Sequence, residues 1–502
     1  MNSILNEIRA RYGTAGDTDS YKFSHPAQYE AGVNRLMSHI FSRGSDKYTK
    51  VQWFGLQLII KEYLLDRLTH EQVDNIIAFQ QSHLFGVEIP NLEIALRAVV
   101  DDYDGYMPLK IRAIPEGTVI PTKQLLATVE SAVEDERIIA LTTYMETMIM
   151  RVWAPTTVAT TSYHIKEIIY DGLLKSADDA DAEIPFKLHD FGSRGVSSFE
   201  SAAFNGAAHL VNFMGSDTTV GIMAANIGYN EEMAGFSIPA TEHSTTTSFG
   251  RDGEEAFLEQ VFDNFAKPGA IFATVADSYD IMNFVENITP KFKARLIKSG
   301  ATWVIRPDSG DPVETPIELV RRLARIWGFT YNGKGYKVLD NVRVIQGDGI
   351  DIEDVRAIVD GLLAENFSIS NIAFGMGGGL LQKNNRDTLK FAMKACAKHK
   401  NGVWEDVYKD PTIYDATTWK PVRSSFKKSM AGRLELMYNG TEYVTVRVEA
   451  VPEYEANGYK AMLETVYDSG VLVRDMTLAE VRENAKLPAE RIVIEEAVVE
   501  TV

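Results

Sequence analysis

Polar residues in this chain gather just past short apolar runs, in combinations suited to holding an anionic substrate. GMGGG at 375–379 follows one such run and precedes a helical pattern carrying Lys383, Arg386 and Lys394. A turn of this kind can present backbone N–H groups to a phosphate, although a tight strand-to-helix turn also needs glycine for purely conformational reasons. A second glycine-bearing stop, QGDG at 346–349, favours a phosphate cradle. RPDSGDP at 306–312 sets a guanidinium and carboxylates past the run TWVI. Arginine can stack its planar face on an aromatic ligand and a carboxylate can accept from ribose hydroxyls; the alternative is an Asp-capped turn closed by an ion pair.

ATEHSTTTSFG at 240–250 places Glu242 beside His243 at a strand end. Histidine there can serve as acid, base or nucleophile, with a carboxylate fixing its tautomer. GSDTT at 215–219 and ADSYD at 276–280 add Asp217, Asp277 and Asp280, which could orient a substrate, accompany a divalent metal or cap helices. HDFGSRG supplies His189, Asp190, Phe191 and Arg194, with Phe191 either a stacking partner or ordinary core. There is no HExxH pattern and no cysteine cluster, which argues against a structural zinc site, and neither a GxSxG nucleophile elbow nor a Walker A sequence appears.

These groups need a scaffold that brings them together. Seven apolar runs end abruptly in polar or glycine residues, starting near 187, 209, 236, 271, 302, 342 and 371, and each is followed by a helical pattern. Their spacing suits a strand plus a return helix, and strands buried on both faces read as continuous apolar runs. An α/β barrel resembling a TIM barrel, with its site at the C-terminal strand ends, is expected; a doubly wound open sheet is the alternative. Helical periodicity is read over 53–68 and 137–153, a hairpin over LKIRAIPEGTVI (109–120), and a half-buried strand in YVTVRVEAV (443–451). The polar stretch 176–185 suggests a boundary. The expected organisation is a flanking α+β domain with an antiparallel sheet, built from residues 1–183 and 389–502, around a barrel of 184–388.

The chain has 502 residues, enough for both domains. Its 51 Lys and Arg against 70 Asp and Glu give a net charge of −19, which argues against a general nucleic-acid or membrane-surface binder, so anions must be held by local cations. A single cysteine, Cys396, allows no internal disulfide and suits a reducing compartment. The N-terminal stretch lacks the pattern of a signal peptide, and no apolar run reaches the roughly 20 residues of a membrane span, so a cytoplasmic location is expected.

In order and over nearly the whole chain, these motifs resemble the nicotinamide phosphoribosyltransferase family of type II phosphoribosyltransferases. The likeness runs from DTDSYKFSHPAQY (17–29) through LHDFGSRGVSS, HLVNFMGSDT, IPATEHST, DSYDI, IRPDSGDP, IQGDGIDI and FGMGGGLLQK to KDP (409–411) and GRLEL (432–436). It implies transfer of 5-phosphoribosyl from phosphoribosyl pyrophosphate to nicotinamide in NAD salvage, with Mg2+ accompanying pyrophosphate and ATP phosphorylating His243. It also implies a homodimer with shared sites. Phe191 and Arg306 would sandwich the nicotinamide ring, approached by Tyr21 of the partner subunit, with Asp19 also among the substrate-binding residues. Asp217 would face the carboxamide, Asp308 would hold ribose hydroxyls, and Asp277 would assist His243 or the metal–pyrophosphate assembly.

By the same resemblance Gly347, Asp348, Gly377 and Gly378 would seat the 5-phosphate. Arg194, Arg43 of the partner subunit, Arg386 and Lys394 match the anion-binding cations. Ser193 and Ala392 stand where many animal relatives carry Tyr and Ser, which suits a bacterial or phage member. The alternatives are a nicotinate-using enzyme, which should lack the acidic residue at 217, and a ligand-binding protein without turnover.

Overall fold

The computed structural model describes residues 3–423, 429–488 and 490. Two compact units emerge, Met1–Thr157 with Asn385–Asn484, and Val158–Asn384 with Ala485–Val502. The border expected at 184 therefore moves: residues 158–183 go with the second unit. The reason is the helix Trp153–Ser176, whose later turns are tied into that unit. Ser162 Oγ lies 3.0 Å from His209 Nδ1, Asn212 Nδ2 donates to Ala159 O at 3.2 Å, and Ile369 N donates to Ser176 Oγ at 3.0 Å. The polar stretch expected to mark the boundary forms a short helix, Ala180–Glu183, and the turn Ile184–Phe186.

In the first unit, N- and C-terminal segments share one antiparallel sheet of seven strands. Its order is Val403–Asp406, Phe391–Lys400, Val33–Ser42, Leu125–Ser131, Leu109–Ala113, Glu464–Asp468 and Val471–Leu472. The expected hairpin over 109–120 does not form. Leu109–Ala113 pairs with Leu125–Ser131 and Glu464–Asp468, whereas Val119–Pro121 pairs with Lys50–Gln52. Pro115 and Gly117, the latter at φ +87°, turn the chain aside, and Gly117 N donates to Trp53 O at 2.8 Å.

The pattern at 53–68 yields the helix Leu56–Tyr63. That at 137–153 breaks into the short turns Leu141–Tyr144, Glu146–Ile149 and Met150–Val152, a segment whose apolar side chains are buried all round rather than along one stripe. YVTVRVEAV is a strand only over Tyr443–Arg447, after which Pro452 helps start the helix Val451–Ala456. The segment 420–436 is rich in Lys and Arg, and its residues 424–428 lie outside the described residues.

The second unit holds a parallel sheet in the order Gly215–Ser216, Leu188–Asp190, Ile372–Met376, Val342–Gln346, Thr302–Arg306, Ile271–Val275. Both of its edges are bridged by the segment 236–240, Phe236 to Gly215 and Ala240 to Ala273, both parallel. That closes the sheet into a barrel, as expected, with the apolar runs as its staves. Alternation explains why those runs are apolar throughout. Ala273, Val304 and Ile345 point inward and form a buried layer with Ile238, Ala373 and Phe191. Their neighbours Phe272 and Trp303 point outward, where Trp303 meets Phe262 edge-on at 5.1 Å.

Helices follow the staves, among them Phe199–His209, Glu254–Phe265, Glu314–Trp327 and Ile352–Ala364. Ser198 caps the first, and Asp351 with Asp354 forms a capping box on the last. Among the described residues no helix is long and apolar enough to cross a membrane.

Candidate active site

The C-terminal ends of the staves bring Phe191, Asp217, His243, Asp277, Arg306 and Asp308 to one face of the barrel. Phe191 follows the stave Leu188–Asp190 and rests on the inner layer. Its N–H donates to Met376 O at 3.0 Å. Glycines make room for its ring: a Cβ at Gly375 would lie 1.9 Å from Phe191 Cε2, and one at Gly347 would lie 3.0 Å from the same atom. The glycine runs thus seat an aromatic ring as well as leaving bare backbone at the barrel mouth, a role of Gly375 that the motif alone did not disclose.

Arg306, at the end of its stave, holds its Cζ 5.8 Å from the Phe191 ring centroid. Its guanidinium also bonds Asp308 Oδ1. Asp308 Oδ2 lies 3.2 Å from His243 Nε2, and Asp277 Oδ1 lies 3.7 Å from the same nitrogen. On the other side of the ring, His243 Nδ1 stands 3.0 Å from Ser278 Oγ. Asp277 is nearly buried, at 5% side-chain exposure, and its Oδ2 accepts from Asp308 N at 3.2 Å and from Ser309 Oγ. Glu242, expected as the group that fixes the histidine tautomer, instead bonds Ser244 Oγ, because the strand-to-helix turn carries it away from the ring. Asp280 is a helix cap, accepting from Met282 N and Asn283 N at 3.0 Å each.

Asp217 is exposed, and its carboxylate accepts from Ser237 Oγ. Its backbone N–H donates to Asp190 O at 2.9 Å, which fixes it beside the residue preceding Phe191. Asp190 is itself buried, its Oδ1 accepting from Gly192 N at 2.7 Å, and burial pushes its carboxyl up to about 6. Burial likewise lowers His189, whose Nε2 lies 3.2 Å from Phe186 O. Both therefore belong to the support beneath the site.

Arg194, in the turn Ser193–Gly195, and Asp348 are exposed. Gly377 and Gly378 begin the short helix Gly378–Leu381. The remaining residues expected at the site lie in the first unit. Tyr21 is 60% exposed and meets His25 edge-on at 4.9 Å. Asp19 precedes the same turn and accepts from Thr147 Oγ1 at 3.4 Å. Arg43 is exposed and its Nε donates to Lys390 O at 3.2 Å. Arg386 is exposed beside Asp387, at 3.9 Å, and Lys394 is exposed opposite His39 in the sheet. Ser237, Ser278 and Ser309 were missed by sequence reading, although ADSYD and RPDSGDP contain two of them; attention to carboxylates hid the hydroxyls that orient them.

Comparison with known proteins matches both the barrel and the segment that precedes it. The family model for the nicotinate phosphoribosyltransferase (NAPRTase) family matches residues 186–439, and the model for the nicotinamide phosphoribosyltransferase N-terminal domain matches residues 14–111. The chain is 44% identical to a nicotinamide phosphoribosyltransferase of Xanthomonas campestris over 93% of its length and 97% of the relative's. It is 30% identical to one from Acinetobacter baylyi, covering 93% and 95%. Among solved structures, the nicotinate-nucleotide pyrophosphorylase of Pyrococcus furiosus shares the fold at a TM-score of 0.57 and 15% identity, covering 97% of this chain and 96% of the other. Human nicotinic acid phosphoribosyltransferase does so at 0.54 and 17%, covering 94% of each. A barrel whose strand ends gather an aromatic–arginine pair and a carboxylate-flanked histidine, with family models matching both the barrel and the N-terminal segment, makes this chain a member of the nicotinate phosphoribosyltransferase family, on its nicotinamide phosphoribosyltransferase branch.

Proposed function

We propose that nicotinamide binds between Phe191 and Arg306 and that its ring nitrogen attacks the anomeric carbon of phosphoribosyl pyrophosphate. A C–N bond forms, the C–O bond to pyrophosphate breaks, and the products are nicotinamide mononucleotide and pyrophosphate. The observation that carries the reading is Asp217, an exposed carboxylate whose backbone is held by Asp190, the residue preceding Phe191. A carboxylate accepts an N–H from the carboxamide of nicotinamide and repels the carboxylate of nicotinate. Asp308 receives ribose hydroxyls, Gly347, Asp348, Gly377 and Gly378 take the 5-phosphate, and Arg194 neutralises phosphate charge that builds as pyrophosphate leaves.

In this reading Tyr21, Asp19, Arg43, Arg386 and Lys394 complete the site in a homodimer, with Tyr21 and Arg43 reaching the partner's barrel. ATP phosphorylates His243. Among the described residues no group of three or more His, Cys, Asp or Glu side chains is placed to hold a metal ion. Mg2+ would be carried by the pyrophosphate oxygens and, when bound, would neutralise the departing group. A cytoplasmic setting suits a chain with one, buried, cysteine.

The test is product formation with nicotinamide and nicotinate compared side by side, for wild type and Asp217→Asn. Wild type is expected to prefer nicotinamide and the variant to lose that preference. Faster consumption of nicotinate by wild type would overturn the substrate assignment.

A further inference from the structure

The two ring nitrogens of His243 face chemically different neighbours. Nε2 looks toward carboxylates, Asp308 Oδ2 at 3.2 Å and Asp277 Oδ1 at 3.7 Å, whereas Nδ1 looks toward a hydroxyl, Ser278 Oγ at 3.0 Å. Ionised carboxylates only accept hydrogen bonds; a serine hydroxyl can donate or accept. A neutral imidazole carries one proton. On Nδ1 it would leave the Nε2 lone pair pointed at two anions. On Nε2 it is donated to Asp308, faces Asp277 and frees Nδ1 to accept from Ser278, so the neutral ring has one consistent assignment.

We infer that Ser278 is a positioning residue for His243: its hydroxyl holds Nδ1 and so turns the protonated Nε2 edge toward Asp277 and Asp308. One turn supplies both sides of this arrangement, because Ser278 follows Asp277 directly. The carboxylates are held independently. Arg306 binds Asp308 Oδ1, while Asp308 N and Ser309 Oγ take Asp277 Oδ2. Asp277 Oδ1 is then buried with no hydrogen-bond partner of its own and stands on the Nε2 side of the ring. A buried carboxylate oxygen left in this way favours a proton on the nitrogen nearest to it. Without Ser278 no other hydrogen bond at Nδ1, among the described residues, holds the ring in this orientation, so the half-exposed ring, at 42% of its side-chain area, becomes free to rotate and either nitrogen can face the carboxylates.

The inference rests on the reading of His243 as the phosphorylated residue, but the tautomer measurement that decides it does not. Full-length protein carrying 15N-labelled histidine is examined near neutral pH by long-range 15N–1H correlation, with His243→Gln to assign the signal. Wild type is expected to show an unprotonated Nδ1 and a protonated Nε2 at His243. Ser278→Ala should lose that preference and Ser278→Thr should restore it. ATP-dependent labelling of His243 should fall roughly 5- to 10-fold in Ser278→Ala, the scale of one lost hydrogen bond. A proton on Nδ1 in the wild-type spectrum overturns the inference whether or not the variants fold, as does a tautomer unchanged in Ser278→Ala. Failure of the wild type to form nicotinamide mononucleotide would instead sink the proposed reaction and leave the tautomer result standing.

Discussion

Arg306 Cζ stands 5.8 Å from the centre of the Phe191 ring, closer than a flat ligand between the two would allow. A ring in van der Waals contact with both faces needs about 7 Å, so for nicotinamide to bind as proposed the pair has to part by roughly 1 Å. Phe191 is wedged against Gly347 and Gly375 and cannot retreat, which leaves the guanidinium to move. Arg306→Lys keeps the charge but loses the planar face. The nicotinamide KM is expected to rise roughly 5- to 30-fold, the value of about 1 to 2 kcal/mol of stacking, in steady-state kinetics.

Gly375→Ala tests the seat from below. The added methyl would sit 1.9 Å from Phe191 Cε2, so the ring must leave its place. Because displacement by about 1 Å can cost on the order of 100-fold in rate, kcat/KM should fall by about that factor while circular dichroism stays that of the wild type.

Sequence reading reached the barrel because staves buried on both faces leave an unbroken apolar signature, as in TWVI before Arg306. It did not reach the Ser278–His243 contact, since those residues belong to different staves and only barrel closure brings them together. The hairpin over 109–120 was misjudged for the opposite reason. Local turn chemistry around Pro115 and Gly117 was legible, but the choice of partner strand was decided by Lys50–Gln52 and Glu464–Asp468, far away in the chain.

His39 and His209 impose an acid limit on stability. Burial lowers each from 6.5 to about 4, so between those values the folded chain binds fewer protons than the unfolded one. Stability from these groups is complete above about pH 6.5 and is lost as pH falls toward 4, by about 2 kcal/mol per histidine between pH 7 and pH 5. Asp190, raised to about 6, acts in the opposite sense, favouring the folded state as pH falls through that value. Neither ring nitrogen of His39 has a hydrogen-bond partner, so His39→Phe should flatten the pH dependence of urea unfolding without loss at pH 7.

Lys187 is buried, pairs with Glu183 at 2.9 Å and donates to Ile369 O and Ile372 O at 3.1 and 3.2 Å. Lys187→Met would take the ammonium from Glu183 and from both carbonyls beneath the barrel, away from the strand ends that carry the site, while Ile369 O keeps the N–H of Ile372. Denaturant unfolding should show a loss of about 2 to 4 kcal/mol, with kcat/KM for nicotinamide unchanged.

One stave is held unlike the rest. The segment 236–240 joins its neighbours at two bridges, with Ser216 N donating to Phe236 O at 3.0 Å on one side and Ala273 N to Pro239 O at 2.9 Å on the other. Yet Ser237, which grips Asp217, lies on it, and His243 follows it directly. The carboxylate proposed to choose the ligand and the histidine proposed to be phosphorylated therefore hang from a part of the wall joined by isolated bridges rather than by a full ladder. Substitutions there can retune what the protein accepts without recasting the barrel, which makes this seam the natural place for divergence or redesign to begin.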